Sequence, residues 1–276
     1  MPDRLIQDAS EAHGAESVNL DTTRAHPARV YNFWLGGKDY FAADREAGEQ
    51  ALAAYPDLVR GVRAQREFLA AAVRYLAAEA GIRQFFDIGT GLPVADNTHE
   101  VAQAIAPSSR IAYVDNDPMV LAHARALLTS APEGACAYLD ADVRDTGGLI
   151  QEVERILDFG EPVAIMMIGI LQLVPDADDP WRIVEELLSA AAPGSWLAVA
   201  HPASDIATDQ MGPAMDRYNE RAEARVSIRT RAQIARFFSG LDLLPPGLVQ
   251  LHRWQPGTEV AAEGELAAYC GLARKP

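Results

Sequence analysis

Residues 83–93, RQFFDIGTGLP, place a short apolar run directly before a glycine turn. Because glycine has no Cβ, Gly89 and Gly91 can adopt positive φ and let a ligand approach the backbone closely. Val94 stands where a G-x-G-x-x-G dinucleotide loop has its third glycine, so the pyrophosphate cradle of that motif is incomplete. We interpret this stretch as the first strand and ligand loop of a strand–loop–helix unit.

The alternation of short apolar runs and longer amphipathic windows continues to the C-terminus. Predicted strands cover 83–88, 110–114, 136–140, 163–168, 195–200, 248–252 and 266–271, and predicted helices cover 96–106, 117–129, 147–157, 180–191 and 231–239. Runs such as 163–168, VAIMMI, do not alternate, which is typical of strands covered on both faces. The pattern predicts an α/β fold with a doubly wound, mostly parallel, seven-stranded Rossmann-like sheet. With no helix between them, the last two strands are expected to form an antiparallel edge pair, joined through the turn at 255–257.

The N-terminal part has a different texture. Residues 1–28 are polar and without periodicity, so we expect a flexible arm. Between residues 29 and 80 apolar side chains recur near a 3.6-residue period, which predicts a helical cap or lid on a core formed by residues 81–276. The segment 35–39, LGGKD, is turn-like, and Pro56 interrupts the helical pattern.

Composition excludes several classes of protein. The 276 residues carry a formal charge of −15, which opposes binding to nucleic acid or to an anionic membrane surface. The longest apolar run is far shorter than the ~20 residues that span a bilayer, and no signal peptide is visible, so we expect a cytoplasmic protein. Two cysteines, six histidines and the absence of an H-E-x-x-H motif give no support to a metal site. The oligomeric state stays open.

Polar residues follow the predicted strands, where ligands of such sheets bind. Asp115, with Asn116 beside it, ends the second strand and could accept hydrogen bonds from both hydroxyls of a ribose. After the third strand, Asp142 could accept from an adenine amino group while the Val143 backbone N–H serves a ring nitrogen. Gly169 follows the fourth strand as a small residue. This order favours adenosine without a pyrophosphate, which is the shape of S-adenosylmethionine.

Other carboxylates near these loops have two interpretations. Asp87, directly before the glycine turn, could anchor backbone N–H groups of that turn or a ligand ammonium group. Asp117 is expected to be the N-cap of the next helix, with Pro118 at its first position. The predicted cofactor-binding residues are Gly36, Gly37, Lys38, Asp87, Gly89, Thr90, Gly91, Asp115, Asn116, Asp142, Val143 and Gly169.

Three stretches resemble one family. They are ARVYNFWLGGKDYFAADREA at 28–47, FFDIGTGLPVADNTHEVAQ at 85–103 and AYVDNDPMVLAHARALL at 112–128, and they are similar to the actinobacterial S-adenosyl methyltransferase family, long catalogued as a domain of unknown function. The resemblance implies a class I methyltransferase core that holds S-adenosylmethionine through Gly89, Gly91, Asp115 and Asp142. It also implies that residues 35–38 close over the cofactor. Gln172 departs from the family, which carries a histidine there, so no imidazole base is expected at that point.

The catalytic residues are less well defined. His99 and His201 each could act as a general base, although most histidines are structural or exposed. Lys38, Arg63 or Arg66 could neutralise the methionine carboxylate of the cofactor, with a solvated cationic face as the alternative for each. The aromatic residues near the glycine pair could pack the extension on the core, lie over an adenine or shelter a sulfonium; they are Tyr31, Phe33, Trp34, Tyr40 and Phe41.

The sequence therefore predicts an S-adenosylmethionine-dependent methyltransferase acting on a small molecule. Two alternatives stay open. One is a non-catalytic regulatory module that binds S-adenosylmethionine, because the residues above point at the cofactor and not at an acceptor. The other is a nicotinamide-dependent dehydrogenase, which shares the glycine loop and the acid after the second strand.

Overall fold

The computed structural model describes residues 21–127, 129–256, 258–259 and 264–276. Most of the predicted N-terminal arm therefore lies outside the described residues. Its last part is packed, because Ala25 is fully buried and forms a β-bridge with Ala222. Three helices follow, namely α1 (Pro27–Trp34), α2 (Ala42–Ala54) and α3 (Leu58–Ala78). Pro56 falls between α2 and α3, as expected for a residue that ends helices.

The remaining chain alternates strands and helices. The elements are β1 (Gln84–Ile88), α4 (Thr98–Ile105), β2 (Arg110–Asp115), α5 (Pro118–Leu127), β3 (Ala135–Asp140), α6 (Thr146–Val153), β4 (Ala164–Ile168), α7 (Pro180–Ala190), β5 (Trp196–Pro202), α8 (Thr208–Asn219), α9 (Arg231–Ala235), β6 (Asp242–Leu243), β7 (Val249–Gln250), β8 (Trp254–Gln255), β9 (Thr258–Glu259) and β10 (Ala268–Arg274). Each predicted strand and helix of this part has a counterpart at nearly the predicted residues.

The sheet has the order β3-β2-β1-β4-β5-β10-β6, with β7 also beside β10. Strands β1 to β5 are parallel, and β10 runs antiparallel to β5, β6 and β7. The doubly wound, mostly parallel sheet is thus confirmed, and the chain direction along the sheet reverses between β1 and β4. At that switch point the loops after adjacent strands separate and leave a crevice, which is where ligands of such folds bind.

The antiparallel edge differs from the prediction in three details. The predicted strand at 248–252 is only β7, because a 3₁₀ turn begins at Leu251. The edge has an additional two-residue strand, β6, which is too short to leave a sequence pattern. The connection from β7 to β10 contains a small sheet of its own, in which β8 and β9 pair antiparallel around the predicted turn.

Helix α8 was not predicted from the sequence. Gly212 and Pro213 lie in it, and both lower helix propensity. Its apolar residues Met211, Met215 and Tyr218 are buried in a cluster with residues of the helical extension. Tertiary burial therefore outweighs local propensity in this segment.

Apolar clusters cover both faces of the sheet. Side chains such as Phe86, Ile165 and Leu197 form the core on one face, and Phe85 and Ile111 belong to the core on the other. The strands are buried on both sides, which explains their continuous apolar runs. A third cluster joins α1, α2 and the start of α3 to the segment after β5. The rest of α3 packs on a face of the sheet, since residues such as Phe68 and Val73 belong to the second cluster.

Candidate functional site

A cavity of about 850 Å³ lies at the carboxyl ends of the parallel strands. Its floor is formed by the loops that follow β1, β2, β3 and β4 together with the ends of β5 and β10, and its roof by α1, the first half of α3 and α8. This volume falls within the ~300–1,000 Å³ of small-molecule sites. The cavity is therefore the candidate site.

The glycine turn is held by the carboxylate that follows the neighbouring strand. Gly91 has φ of +66° and donates its backbone N–H to Asp115 Oδ2 at 2.8 Å. Asp115 Oδ1 accepts from the Asp117 backbone N–H at 3.0 Å, and burial raises the pKa of this carboxyl above its ordinary value. A Cβ built on Gly91 would meet no atom within 4 Å, so the space above the turn is open. The loop after β1 and the acid after β2 thus form one rigid unit at the cavity floor.

Position 89 requires glycine because of both its backbone conformation and its close neighbours. Its φ is +73°, and a Cβ at this position would lie 2.6 Å from Ile170 Cβ in the loop after β4. The Gly89 backbone N–H donates to Val114 O at 2.8 Å. The turn therefore fits closely between the ends of β2 and β4.

Asp87 holds the start of α4 and does not anchor the glycine turn. The predicted anchoring of the glycine turn by Asp87 is wrong, because Asp115 accepts that backbone hydrogen bond. Asp87 Oδ2 instead accepts from Thr98 Oγ1 at 2.5 Å and so holds the start of α4. Burial raises the pKa of Asp87 to about 6, against the opposing effect of the Arg66 guanidinium. Its carboxylate lines the cavity, where a cation could neutralise it.

The loop after β3 reaches the same cavity. Asp142 and Val143 line it together with Asn116 from the loop after β2. Arg144 donates to both carboxylate oxygens of Asp142, with Nε at 2.9 and 3.0 Å, and this lowers the pKa of Asp142. The two acids predicted to converge, 115 and 142, therefore border one hollow.

Two glutamine side chains lie at the end of β4, Gln65 from α3 and Gln172 from the turn that follows the strand. Gly169 has φ of +82°, and a Cβ there would overlap the Gln65 amide. Gln172 Nε2 donates to Gly169 O at 2.6 Å, while Gln172 Oε1 is buried and has no hydrogen-bond partner among the described residues. Both glutamines line the cavity.

The structure does not bring Gly36, Gly37 and Lys38 to the cavity. The turn folds back on α1, since Gly37 N–H donates to Asn32 O at 2.9 Å and Asp39 N–H to Asn32 Oδ1 at 3.0 Å. The turn therefore ends α1, and its glycines serve that turn.

The start of α1, and not the segment 35–38, covers the loop after β2. The sequence analysis did not predict this contact. His26 Nδ1 lies 2.9 Å from Asp117 Oδ2, and Ala28 packs against an apolar cluster that contains Leu92 and Met119. Asp117 also accepts from the Met119 backbone N–H at 2.8 Å, which confirms it as the N-cap of α5. A short polar segment without periodicity gives no signal for such a contact.

A buried ion pair fixes this roof to α2. Arg29 Nε donates to Asp44 Oδ2 at 2.9 Å, and the two side chains are 2% and 0% exposed. Asp44 also accepts from the backbone N–H of His26 and of Phe41. Both groups come from segments with many charged residues, so only the fold distinguishes them from a solvated pair.

The two candidate bases lie outside the cavity lining, so the geometry does not support them as bases. His99 is buried against Tyr113, whose hydroxyl lies 2.8 Å from its Nδ1, and burial lowers the pKa of His99. His201 is fully buried, and burial lowers its pKa to about 3. Because Arg229 can only donate, His201 Nε2 accepts from Arg229 at 2.7 Å, and its Nδ1–H donates to Pro202 O.

Arg229 was also missed by the sequence analysis. It is 1% exposed and donates to Leu171 O at 2.8 Å, Val174 O at 2.7 Å and Asp176 Oδ1 at 2.7 Å. These acceptors belong to the segment after β4 that carries Gln172. Arg229 therefore fixes one wall of the cavity from behind.

Of the three predicted carboxylate-binding cations, Arg66 alone lines the cavity in the described part of the chain. Its terminal nitrogen donates to Ala95 O and Asp96 O, and its Nε is buried without a partner among the described residues. Of the aromatic residues near the glycine pair, Tyr31 and Trp34 line the cavity.

The described residues contain no group of three His, Cys, Asp or Glu side chains arranged to hold a metal ion. None of the described helices has the length and apolar character needed to cross a bilayer.

Comparisons with known proteins identify a family. The model of the S-adenosyl methyltransferase family matches residues 13–276. A DUF574 family protein from Streptomyces avermitilis is 43% identical with a TM-score of 0.87, over 93% of this chain and 99% of that one. A proposed methyltransferase from Thermobifida fusca is 38% identical with a TM-score of 0.83, over 92% of this chain and 96% of that one. No curated protein matches the chain. The chain belongs to the S-adenosyl methyltransferase family and is an S-adenosylmethionine-dependent enzyme of the class I fold.

Proposed function

We propose that this enzyme transfers the methyl group of S-adenosylmethionine to a small-molecule acceptor, with the cofactor lying over the ends of β3, β2 and β1. The observation that carries this proposal is the convergence of Gly91, Asp115 and Asp142 on one cavity. These residues come from three successive loops. Their order along the sheet follows the order of ribose and adenine in an extended nucleoside.

The nucleoside end has the hydrogen-bonding capacity that the cofactor needs. Each Asp115 oxygen accepts one backbone N–H and keeps a second lone pair for a ribose hydroxyl. The open space above Gly91 lets the sugar lie against the backbone. Asp142 and the Val143 backbone N–H would then bind the amino group and a ring nitrogen of adenine.

The amino-acid end of the cofactor is zwitterionic and fits a pair of opposite charges. Asp87 is buried at the cavity wall, and its raised pKa is brought down when an ammonium group comes beside it. Arg66 has a buried Nε free to donate to a carboxylate. Arg66 and Asp87 both line the cavity, and the Arg66 guanidinium acts to lower the pKa of Asp87. Gly36, Gly37 and Lys38 are no longer proposed as cofactor ligands.

When bound, S-adenosylmethionine supplies a sulfonium methyl group that is displaced by a nucleophile of the acceptor. The protein contributes by holding both molecules in line and by excluding water under α1 and α3. A neutral nitrogen or an already ionised oxygen needs no base on the protein. Neutral His99 and His201, both behind the cavity wall, are not assigned a part in the transfer.

Two measurements test the proposal. Calorimetric titration is expected to show binding of S-adenosylhomocysteine but not of NADH, and binding of NADH instead would overturn it. Incubation with methyl-labelled S-adenosylmethionine and a cell extract is expected to place label in the small-molecule fraction. Label only in protein or nucleic acid would refute a small-molecule acceptor.

A further inference from the structure

The cavity continues beyond the proposed cofactor end. We call its part over β4, β5 and β10 the acceptor half, defined by Tyr55, Gln172, Met211, Met215, Tyr218 and Leu251. In the sheet order β2-β1-β4-β5-β10, four strand spacings of ~4.8 Å separate Asp115 from the β10 edge, or ~19 Å. That distance leaves room for a second molecule beside the methyl group.

The walls of the acceptor half are apolar and aromatic. Trp34 and Tyr218 lie with ring centroids 6.2 Å apart at one side, and Met211 and Met215 lie on the same helix as Tyr218. Methionine side chains adapt to planar ligands of different outline. The six defining side chains are uncharged at neutral pH, since burial raises the pKa of both Tyr55 and Tyr218.

Apart from the buried Arg29, the charged groups among the described lining residues near this half lie at the rim. Glu223 and Arg225 line the cavity and are exposed to solvent. Arg29 is already bound by Asp44. A charged ligand inside the acceptor half would therefore lose its hydration without gaining a partner, which is strongly unfavourable.

Among the six defining side chains, Gln172 carries a fully buried polar atom that has no hydrogen-bond partner among the described residues. Gln172 Nε2 donates to Gly169 O at 2.6 Å, which fixes the amide so that Oε1 is the remaining atom. Gln172 O accepts from the Ser227 backbone N–H at 2.7 Å, so the residue is held at its backbone as well. Oε1 is buried with no partner among the described residues. A donor group on a ligand would satisfy this carbonyl oxygen.

Gln172 lies after β4, next to the strand that leads into the proposed cofactor end. Gly169 follows β4, and β4 pairs directly with β1, the strand that ends at the glycine turn. A group bound to Gln172 Oε1 therefore lies between the cofactor end and the acceptor half.

We propose that the acceptor is an uncharged aromatic molecule that lies against Trp34, Tyr218 and the α8 methionines, and that an O–H or N–H of this molecule donates to Gln172 Oε1. Gln172 thereby determines specificity for acceptors that carry a donor group. The methylated atom is a neutral nitrogen: its lone pair forms the new N–CH3 bond as the S–CH3 bond breaks, the sulfonium becomes a thioether, and the surplus proton on nitrogen is released to solvent. This inference rests on the proposed function, because it assigns the acceptor of that reaction.

The test uses the full chain saturated with S-adenosylhomocysteine and three probes of one shape. They are 2-naphthol, 2-methoxynaphthalene and 2-naphthoate, each titrated by calorimetry. We expect 2-naphthol to bind about 3- to 10-fold more tightly than 2-methoxynaphthalene, the value of one net hydrogen bond. It should bind at least about 10-fold more tightly than the anion. Absence of 2-naphthol binding, or equal binding of all three, would overturn the inference.

Two variants connect the preference to the residue. Gln172→Leu is expected to bind 2-naphthol and 2-methoxynaphthalene equally. Gln151→Leu, at an exposed position on α6, keeps the wild-type preference. A preference that survives in Gln172→Leu excludes Gln172 as the acceptor of the hydrogen bond. Failure of S-adenosylhomocysteine to bind wild type would refute the proposed function instead, so the two failures are distinguishable.

Discussion

The two halves of the cavity are built in different ways. Apart from Arg66 of α3, the proposed cofactor end takes its polar groups from loops close in sequence, residues 87–144, and hydrogen bonds within those loops fix them. The acceptor half takes apolar side chains from α2, α8 and the segment before β10, and Arg229 fixes its Gln172 segment from behind. The first half is organised locally, whereas the second exists only when distant segments are packed. Variants of the buried residue that fixes the acceptor half should therefore have their largest effect on stability, whereas variants at the cofactor end should have theirs on S-adenosylhomocysteine binding.

The largest effect is expected at Arg229. Arg229→Met leaves Leu171 O, Val174 O and His201 Nε2 buried without a donor, so the free energy of unfolding should fall by about 3–5 kcal/mol. Urea denaturation measures this change. Arg155→Met removes an exposed arginine paired with Glu152 and should change the free energy by less than about 1 kcal/mol. Equal losses in the two variants would mean that the acceptor half does not depend on Arg229.

Asp115 is the corresponding test for the cofactor end. Asp115→Asn replaces one carboxylate oxygen by an amide that cannot accept, and the lost charge-assisted bond of about 1.5–3 kcal/mol should raise the Kd for S-adenosylhomocysteine about 10- to 150-fold. Calorimetry measures the Kd. Asp140 is the register neighbour of Asp115 on the adjacent strand β3, but its side chain is exposed and lies outside the cavity lining. Asp140→Asn should therefore leave the Kd unchanged. An unchanged Kd in Asp115→Asn would show that Asp115 does not bind the cofactor.

Substitution of Asp87 should have opposite effects on the stability of the protein and on its binding of S-adenosylhomocysteine. Its pKa of about 6 in the folded protein is above the ordinary 3.8, so ionisation opposes folding as the pH rises from about 4 through 6. Asp87→Asn should therefore raise the free energy of unfolding by about 1–3 kcal/mol at pH 8, with a gain that vanishes toward pH 4. The same variant should weaken S-adenosylhomocysteine binding at pH 8.

Urea denaturation at several pH values and calorimetry check both parts. In wild type, binding should weaken as the pH falls below 6, because protonated Asp87 no longer attracts an ammonium group. A stability gain that is independent of pH would contradict the assignment of the raised pKa to Asp87.

The smallest effect is expected at Lys38. Its side chain is exposed and outside the cavity lining, so Lys38→Ala should change the Kd for S-adenosylhomocysteine by less than about twofold. Arg66→Ala serves as the matched comparison and should raise that Kd about 10-fold or more. A large loss in Lys38→Ala would restore residues 35–38 as the cover of the cofactor.

Sequence analysis predicted the locally organised part well. The strand ends at 88, 115, 140 and 168 could be placed because buried parallel strands leave continuous apolar runs. Asp115 and Asp142 could then be assigned to one edge of the sheet. Helix α8 could not be predicted, because Gly212 and Pro213 hide a segment that tertiary burial makes helical.

The roles of individual polar residues were harder to predict. His201 and Asp176 are ordinary polar residues in the sequence. Only the fold buries His201, which lowers its pKa and keeps it neutral, and places Arg229 where it donates to both residues. His26 looked like part of an arm, yet it contacts Asp117 across the cavity roof. Such pairs join residues far apart in the chain, and no spacing rule connects them.

Local sequence patterns were enough to predict the strands, most of the helices between them and the loops that meet at the carboxyl ends, because hydrophobic periodicity and glycine conformation act over a few residues. Three features were set only by tertiary packing: which segment forms the roof, which histidines are buried, and that the side-chain oxygen Oε1 of Gln172 has no partner among the described residues. The physical reason is that burial and hydrogen-bond satisfaction depend on what packs against a residue from elsewhere in the chain, and that is set only when the whole core has formed.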